Sequence, residues 1–206
     1  MFEPDLKSHW ENIYRTKREN EFSWFQEYPA ISMEFIQSFQ IPPDAKILDV
    51  GGGDSRLADS LLALGYRNIS VLDISEKAIE RAKKRMETKA EKINWIIGDI
   101  TELKSDIKFD LWHDRAVFHF LTDPSQAGKY LSVARKEMKP GGYLVIGTFS
   151  EKGPKKCSGL PVKQYSDKSL SAFFANGFSR INCKEQNHIT PSASTQNFLF
   201  CSFRKI

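Results

Sequence analysis

A short apolar run, Lys46–Val50 (KILDV), ends in Gly51, Gly52 and Gly53 and passes at once into a helical stripe of Leu57, Ala58, Leu61 and Leu62. The same succession repeats down the chain. Short apolar runs fall at Asn68–Asp73, Ile93–Ile97, Phe109–His113 and Tyr143–Phe149, with amphipathic segments between several of them. Strands that alternate with helical segments specify a parallel sheet with helical crossovers, so the pattern restricts the chain to an α/β fold. Local signals set the boundaries. Gly65 stops the first helix and Ser75 caps the second. Thr122 or Asp123 caps the helix of Ala127, Tyr130, Leu131, Ala134 and Met138, with Pro124 in its first turn. Lys139-Pro140-Gly141-Gly142 reads as a stop and turn before the fifth strand.

Beyond residue 150 the pattern changes. Ser166–Asn176 predicts a helix ended by Gly177, and Phe178–Cys183 and Asn197–Arg204 predict strands joined by a polar loop. Two successive strands without a crossover helix are antiparallel neighbours. Upstream of the first strand lie His9–Tyr14 and a stripe of Ile31, Phe35, Ile36 and Phe39. At 206 residues the expectation is a single domain, 1–206, with 1–44 as a helical cover over one end of the sheet. No run approaches the roughly 20 apolar residues of a membrane span, and the polar N-terminus carries no signal-peptide pattern. Cys157, Cys183 and Cys201 provide neither a disulfide framework nor metal-ligand spacing, which points to no metal and a reducing, cytoplasmic setting. The net charge of +4 invites a nucleic-acid reading. The densest basic run, Arg81–Arg85 continuing to Lys89 and Lys92, interleaves with Ala78, Ile79, Ala82 and Met86 at helical spacing, however. It reads as the solvated face of a helix, and neither nucleic acid nor membrane is an expected partner.

The glycine run carries the chemistry. Glycine is required where backbone must turn sharply into a helix and approach a bound molecule without a side chain intervening. Asp73 ends the next strand, 22 positions after Gly51, the spacing of a carboxylate that accepts from ribose hydroxyls. Gly51 and Gly53 fit the start of a dinucleotide fingerprint, but Arg56 stands at its third glycine and no separate substrate domain follows. No Lys-Ser or Lys-Thr follows the glycines, so a phosphate-binding Walker loop is absent.

Over about 45–204 these residues resemble the class I S-adenosylmethionine-dependent methyltransferases. Asp49-x-Gly51-x-Gly53 is similar to their first motif, and Asp73, with Ile74 after it, to their ribose-binding position. Gly98-Asp99-Ile100 is similar to the segment that contacts adenine, and Lys139–Gly142 to the turn into their fifth strand. The resemblance implies a Rossmann-like, mostly parallel seven-stranded sheet of order 3-2-1-4-5-7-6, strand seven antiparallel, with helices on both faces. It also implies S-adenosyl-L-methionine as cofactor, S-adenosyl-L-homocysteine as product, and Trp10 and Tyr14 closing over the cofactor. Trp10–Tyr14, Phe22–Phe25 and Gly65–Ser75 resemble the lysine methyltransferases of elongation factor 1A and citrate synthase. Trp112–Ala116 and Tyr130 resemble thiopurine methyltransferase and related small-molecule enzymes. His113-Asp114-Arg115-Ala116 stands where adenine- and glutamine-modifying relatives carry Asn-Pro-Pro-Tyr, which argues against those acceptors.

Methyl transfer from a sulfonium asks chiefly for in-line placement and exclusion of water, with a base only when the acceptor arrives protonated. The candidate bases are Asp114, His113 and His119, at the carboxyl edge of the sheet. Asp114 has the structural alternative of a helix cap or an ion pair with Arg115, and His119 that of an ordinary half-buried histidine. Trp24, Arg115, Phe118 and Cys157 are the candidate acceptor-binding residues, Cys157 within a loop that could act as a lid. The expectation is a monomeric or weakly dimeric methyltransferase with a small-molecule acceptor. A protein lysine is the alternative acceptor, and a non-catalytic cofactor-binding module is the rival from another class.

Overall fold

Apolar side chains at alternate positions on both faces hold the central strand β1 (Lys46–Val50) between β2 (Asn68–Asp73) and β4 (Phe109–Arg115), both parallel to it. The computed structural model describes residues 5–206, so the first four lie outside the described residues. β3 (Ile93–Ile97) and β5 (Met138–Phe149) extend the parallel set, then a two-residue hairpin, β6 (Lys156–Cys157) and β7 (Leu160–Pro161), follows. β8 (Phe178–Ile189) and β9 (Thr195–Lys205) close the sheet, in the order β3-β2-β1-β4-β5-β9-β8 with β9 antiparallel to both neighbours. With the small hairpin set aside, this is the predicted topology. Leu48, Val50, Trp112, Leu144 and Ile146 face one core, and Ile47, Val71, Leu111, Val145 and Phe200 face the other. Covering both faces requires strands apolar on both sides, hence the continuous apolar runs in the sequence.

The helices are α1 (Leu6–Thr16), α2 (Ala30–Ser38), α3 (Leu57–Ala63), α4 (Glu76–Met86), α5 (Pro124–Glu137) and α6 (Asp167–Phe174). Ser75 Oγ accepts from the Ala78 amide at the start of α4. Asp123, not Thr122, caps α5 through the Ser125 amide. Among the described residues no helix is long and apolar enough to cross a membrane.

Four expectations are corrected. Lys139–Gly142 is not a turn before β5 but a bulge inside it: Phe109 pairs with Met138 and Leu111 with Tyr143, so the extra residues arch outward, with Gly141 at φ +72°. β8 runs on to Ile189 because its backbone pairs with β9, although most of its side chains are exposed. Cys183 and Cys201, opposite each other on β8 and β9, form a disulfide, so only Cys157 is a free thiol. The basic run of α4 is not all solvated. Arg81 donates to Asp54 and to the Tyr14 and Lys17 carbonyls, and Arg85 donates to Asp54 and Asp59. Glu11 of α1 accepts from the Glu76 and Lys77 amides at the exposed N-terminus of α4. These contacts dock α1 beside the carboxyl edge of the sheet.

Candidate active site

Sheet order reverses on either side of β1, and the crevice that opens there at the carboxyl ends of the strands is where ligands bind in open α/β sheets. A cavity of about 120 Å³ lies there. Its glycine-loop end is lined by Gly51, Asp73, Ile74, Gly98, Asp99 and Ile100, and Trp10 and Tyr14 of α1 also line the cavity. Its other end is lined by Trp24, Arg115, Phe149, Cys157, Gln196 and Phe198.

The glycine loop leaves no room for side chains. Gly51 sits at φ +63° and donates to the Leu72 carbonyl at 2.7 Å. A Cβ there would stand 2.0 Å from Val117 Cγ2. On Gly52 it would stand 2.4 Å from Asp49 Oδ2, and on Gly53 2.5 Å from Asp73 Oδ2. All three glycines are therefore required, although the fingerprint uses only the first and third.

Asp73 is 5 % exposed and its Oδ1 accepts from the Ser75 amide at 2.8 Å. Burial pushes its carboxyl up to about 7, with nearby Asp49 adding to the shift. A ligand that donates paired hydroxyls to this carboxylate would offset that desolvation. Asp99 caps the turn after β3, its Oδ1 accepting from the Thr101 amide and hydroxyl. Asp99 lines the cavity beside buried Ile100. A glycine cradle, a buried carboxylate and this turn fit an adenosyl ligand.

At the other end the half-buried Arg115 guanidinium donates through Nη1 to the Trp24 carbonyl at 3.0 Å and lies 5.4 Å from the Phe198 ring centroid. Burial lowers its pKa to about 10, so it stays charged at neutral pH. Cys157 is buried, and burial pushes its thiol up. Trp10 packs edge-on against Trp24 at 5.8 Å and Phe120 at 5.2 Å. Tyr14 contacts Trp10, Trp24 and Phe22.

The other predicted residues do not line the cavity. Asp49 and His113 lie under the glycine loop: His113 Nδ1 bonds Asp49 Oδ1 at 2.8 Å and Nε2 bonds Ser32 Oγ at 2.9 Å. Gly53 backs onto Asp73 and Ala78. Asp114 is fully buried, its Oδ1 accepting from the Val117 and Phe118 amides and its Oδ2 from the Tyr130 hydroxyl at 2.7 Å. Burial raises it to about 6, but its oxygens fix the turn after β4. His119 accepts from the Phe149 amide, and burial lowers it to about 3, so it stays neutral. Phe118 packs among Tyr130, Tyr165, Phe173 and Phe174. The expected base roles of His113, Asp114 and His119 and the acceptor role of Phe118 therefore find no support in the geometry: all four side chains are buried outside the cavity lining, with His119 Nε2 unpartnered. Sequence reasoning missed Val117, Phe120, Phe149, Gln196 and Phe198. The signal available for Gln196 and Phe198 was the two-residue alternation of β9, which puts both on one face.

Comparison with known proteins agrees with this geometry. A family model described as a methyltransferase domain matches residues 41–192. The eEF1A lysine and N-terminal methyltransferase of Bos taurus is 27% identical over 171 residues, 82% of this chain but only 24% of that protein. The chain thus spans about a quarter of the length of that relative. The ubiquinone/menaquinone biosynthesis C-methyltransferase UbiE of Roseobacter denitrificans is 32% identical over 110 residues, 52% of this chain and 43% of that one. Among solved structures, the Burkholderia thailandensis 1,6-didemethyltoxoflavin-N1-methyltransferase, with 1,6-didemethyltoxoflavin and S-adenosylhomocysteine bound, superposes with a TM-score of 0.78 at 21% identity. That match covers 97% of this chain and 87% of the other. The likeness is one of fold. With its family match across most of its length and its sheet in the expected order, the chain belongs to the methyltransferase domain family.

Proposed function

We propose that this chain is an S-adenosylmethionine-dependent methyltransferase, a single domain over 1–206, whose acceptor is a small molecule. The observation that carries the acceptor class is Arg115, a charged guanidinium among the Trp24, Phe149 and Phe198 rings at the end of the cavity away from the glycine loop. A lysine ammonium entering there would meet a like charge, a repulsion of about 4 kcal/mol at 4 Å with an effective dielectric constant near 20. A neutral or anionic acceptor escapes that repulsion and gains an aromatic wall, the make-up of small-ligand sites.

When bound, S-adenosylmethionine supplies a methyl group already activated on a sulfonium sulfur. The chain's residues bind and orient. Asp73 accepts from the ribose hydroxyls, the Gly51 backbone lies beneath the methionine part with Gly53 packed behind it on Asp73, and Asp99 and Ile100 hold the adenine. Trp10 and Tyr14 cover the cavity and exclude water. The balance of the reaction is simple: the sulfur–methyl bond breaks, a bond from the acceptor's lone pair to the methyl carbon forms, and a neutral thioether remains. With Asp114 and His113 hydrogen-bonded in the interior and His119 held neutral by burial, the acceptor is one that has lost its proton to bulk water before it binds and arrives with a free lone pair. Catalysis then rests on placement.

The test is incubation of the protein and radiolabelled S-adenosylmethionine with lysate, separated into protein, nucleic-acid and small-molecule fractions. Label in the small-molecule fraction is expected. Label on a protein band alone would move the acceptor to lysine, the substrate class in the name of the eEF1A relative.

A further inference from the structure

Arg81 and Arg85 stand one turn apart on α4 and grip the same carboxylate. Asp54, the residue after the glycine run, accepts from Arg81 Nε through Oδ2 at 2.9 Å and from Arg85 Nη1 through Oδ1. Asp54 is buried, and the two cations offset the cost of burying its charge. The two arginines differ in what else they hold. Arg85 donates to the Asp54 and Ser55 carbonyls and to Asp59 of α3. Arg81 reaches α1 instead. Its Nη1 donates to the Tyr14 carbonyl at 3.1 Å and to the Lys17 carbonyl at 2.7 Å. α1 ends at Thr16, so these carbonyls lie in its last turn and at its exit, where intrahelical partners run out. A cation there also complements the helix dipole. The same guanidinium lies 5.1 Å from the Phe22 ring centroid, and Phe22 stacks on Trp24 at 4.7 Å.

We propose that Arg81 is a positioning residue that makes the glycine loop and the α1 cover close as one unit over the cofactor. The inference rests on reading the cavity as the S-adenosylmethionine site. Trp10 and Tyr14 line that cavity from α1, whereas Arg81 stands outside its lining. Asp54 fixes the guanidinium fork, and the fork fixes the end of α1. A second contact runs in parallel: Arg56 donates to Glu19, just beyond α1. Arg56 is the residue that replaces the third glycine of the dinucleotide fingerprint, so the loop spends that position on a grip toward the cover. The Arg56–Glu19 pair is partly exposed and contributes little alone. Nearer the middle of α1, Glu11 accepts from the first amides of α4, so one helix holds the cover at two points. A bound cofactor leaves only when the cover opens, and its release is therefore scaled by the open fraction.

The test compares Arg81→Met with Arg85→Met. Two quantities are read: release of tritiated S-adenosylhomocysteine into excess unlabelled ligand, and amide hydrogen exchange of residues 6–17 in the loaded protein. Both variants take a guanidinium from Asp54, and denaturant unfolding measures the stability each loses. In Arg81→Met release should quicken about tenfold, and exchange of 6–17 by a similar factor. In Arg85→Met exchange of 6–17 should stay within about twofold of the parent, whatever stability is lost, because Arg85 does not bond α1. Arg81→Lys keeps a cation beside Asp54 and so safeguards folding, but one nitrogen cannot span the carboxylate and both carbonyls. Its release should still quicken, by about threefold. Parent-like release or exchange in the Arg81 variants, or an equal loss of α1 protection in Arg85→Met, would overturn the inference and leave the cofactor site standing. A parent protein that fails to bind S-adenosylhomocysteine would overturn both.

Discussion

The two ends of the cavity are built in opposite ways. The glycine-loop end comes from short stretches of sequence: β1 with its three glycines, and the first residues after β2 and β3. The Arg115 end collects Trp24, Arg115, Phe149, Cys157, Gln196 and Phe198 from segments spread along the chain. Binding the part that every methyl donor shares needs backbone geometry, which a local motif can specify. Binding an acceptor needs side chains that only the finished sheet brings together, so that end can change without disturbing the first.

The comparison is broken most severely at Gly53. In Gly53→Ala the new Cβ would strike Asp73 Oδ2 at 2.5 Å and Ala78 Cβ at 2.9 Å, and neither the buried carboxylate nor the helix backbone can easily retreat. The protein should lose roughly 2–4 kcal/mol of stability, seen in denaturant unfolding, and about a hundredfold or more in S-adenosylhomocysteine affinity. An unchanged affinity would mean that the loop has slack and that the crowding at Gly53 is not a constraint.

A smaller effect sharpens the role of Asp73. Burial raises its folded pKa from 3.8 to about 7. The folded state therefore holds its proton more tightly than the unfolded chain. Its contribution to stability is fully present below pH ~4 and lost as pH rises through about 7. Ligand hydroxyls prefer the ionised carboxylate, so S-adenosylhomocysteine affinity should rise by up to about tenfold between pH 6 and 8 and then level. Calorimetry across that range checks this, with Asp73→Asn expected to give a flat profile.

The smallest effect on turnover is expected at Asp114. Its oxygens serve the Val117 and Phe118 amides and the Tyr130 hydroxyl. Asp114→Asn should cost about 1–3 kcal/mol of stability by leaving the Tyr130 hydroxyl without an acceptor. It should leave kcat within about threefold, whereas removal of a general base costs about 10²–10⁴. A loss in that larger range, with folding intact, would restore Asp114 as the base.

The same division explains what the sequence made legible. β1, β2 and β3 have their predicted bounds because both faces of each are covered or flanked by clear stops. Gly51, Asp73 and Asp99 could be placed at the cavity from sequence because strand, turn and carboxylate lie within a few residues of each other. The far half of β8 was hidden because its side chains face solvent and only its backbone is committed. Gln196 was hidden because the predicted strand began one residue later, at Asn197, so the alternation that puts it on the Phe198 face was not read. Asp114, His113 and His119 carried the chemistry of bases in the sequence. Their hydrogen-bond partners, Tyr130, Ser32 and the Phe149 amide, come from distant segments, and only the fold shows those side chains turned inward.

The central claim, that the two ends are separable, is tested most directly by one titration of S-adenosylhomocysteine into the parent, Asp73→Ala and Arg115→Met proteins. Asp73→Ala removes a pair of charge-assisted hydrogen bonds worth about 1.5–3 kcal/mol each, a loss of roughly a hundredfold or more in affinity. Arg115→Met should match the parent within about twofold, because its guanidinium bonds the Trp24 carbonyl and stands over Phe198 at the far end. Parent-like affinity in Asp73→Ala, or an equal loss in Arg115→Met, would contradict the account.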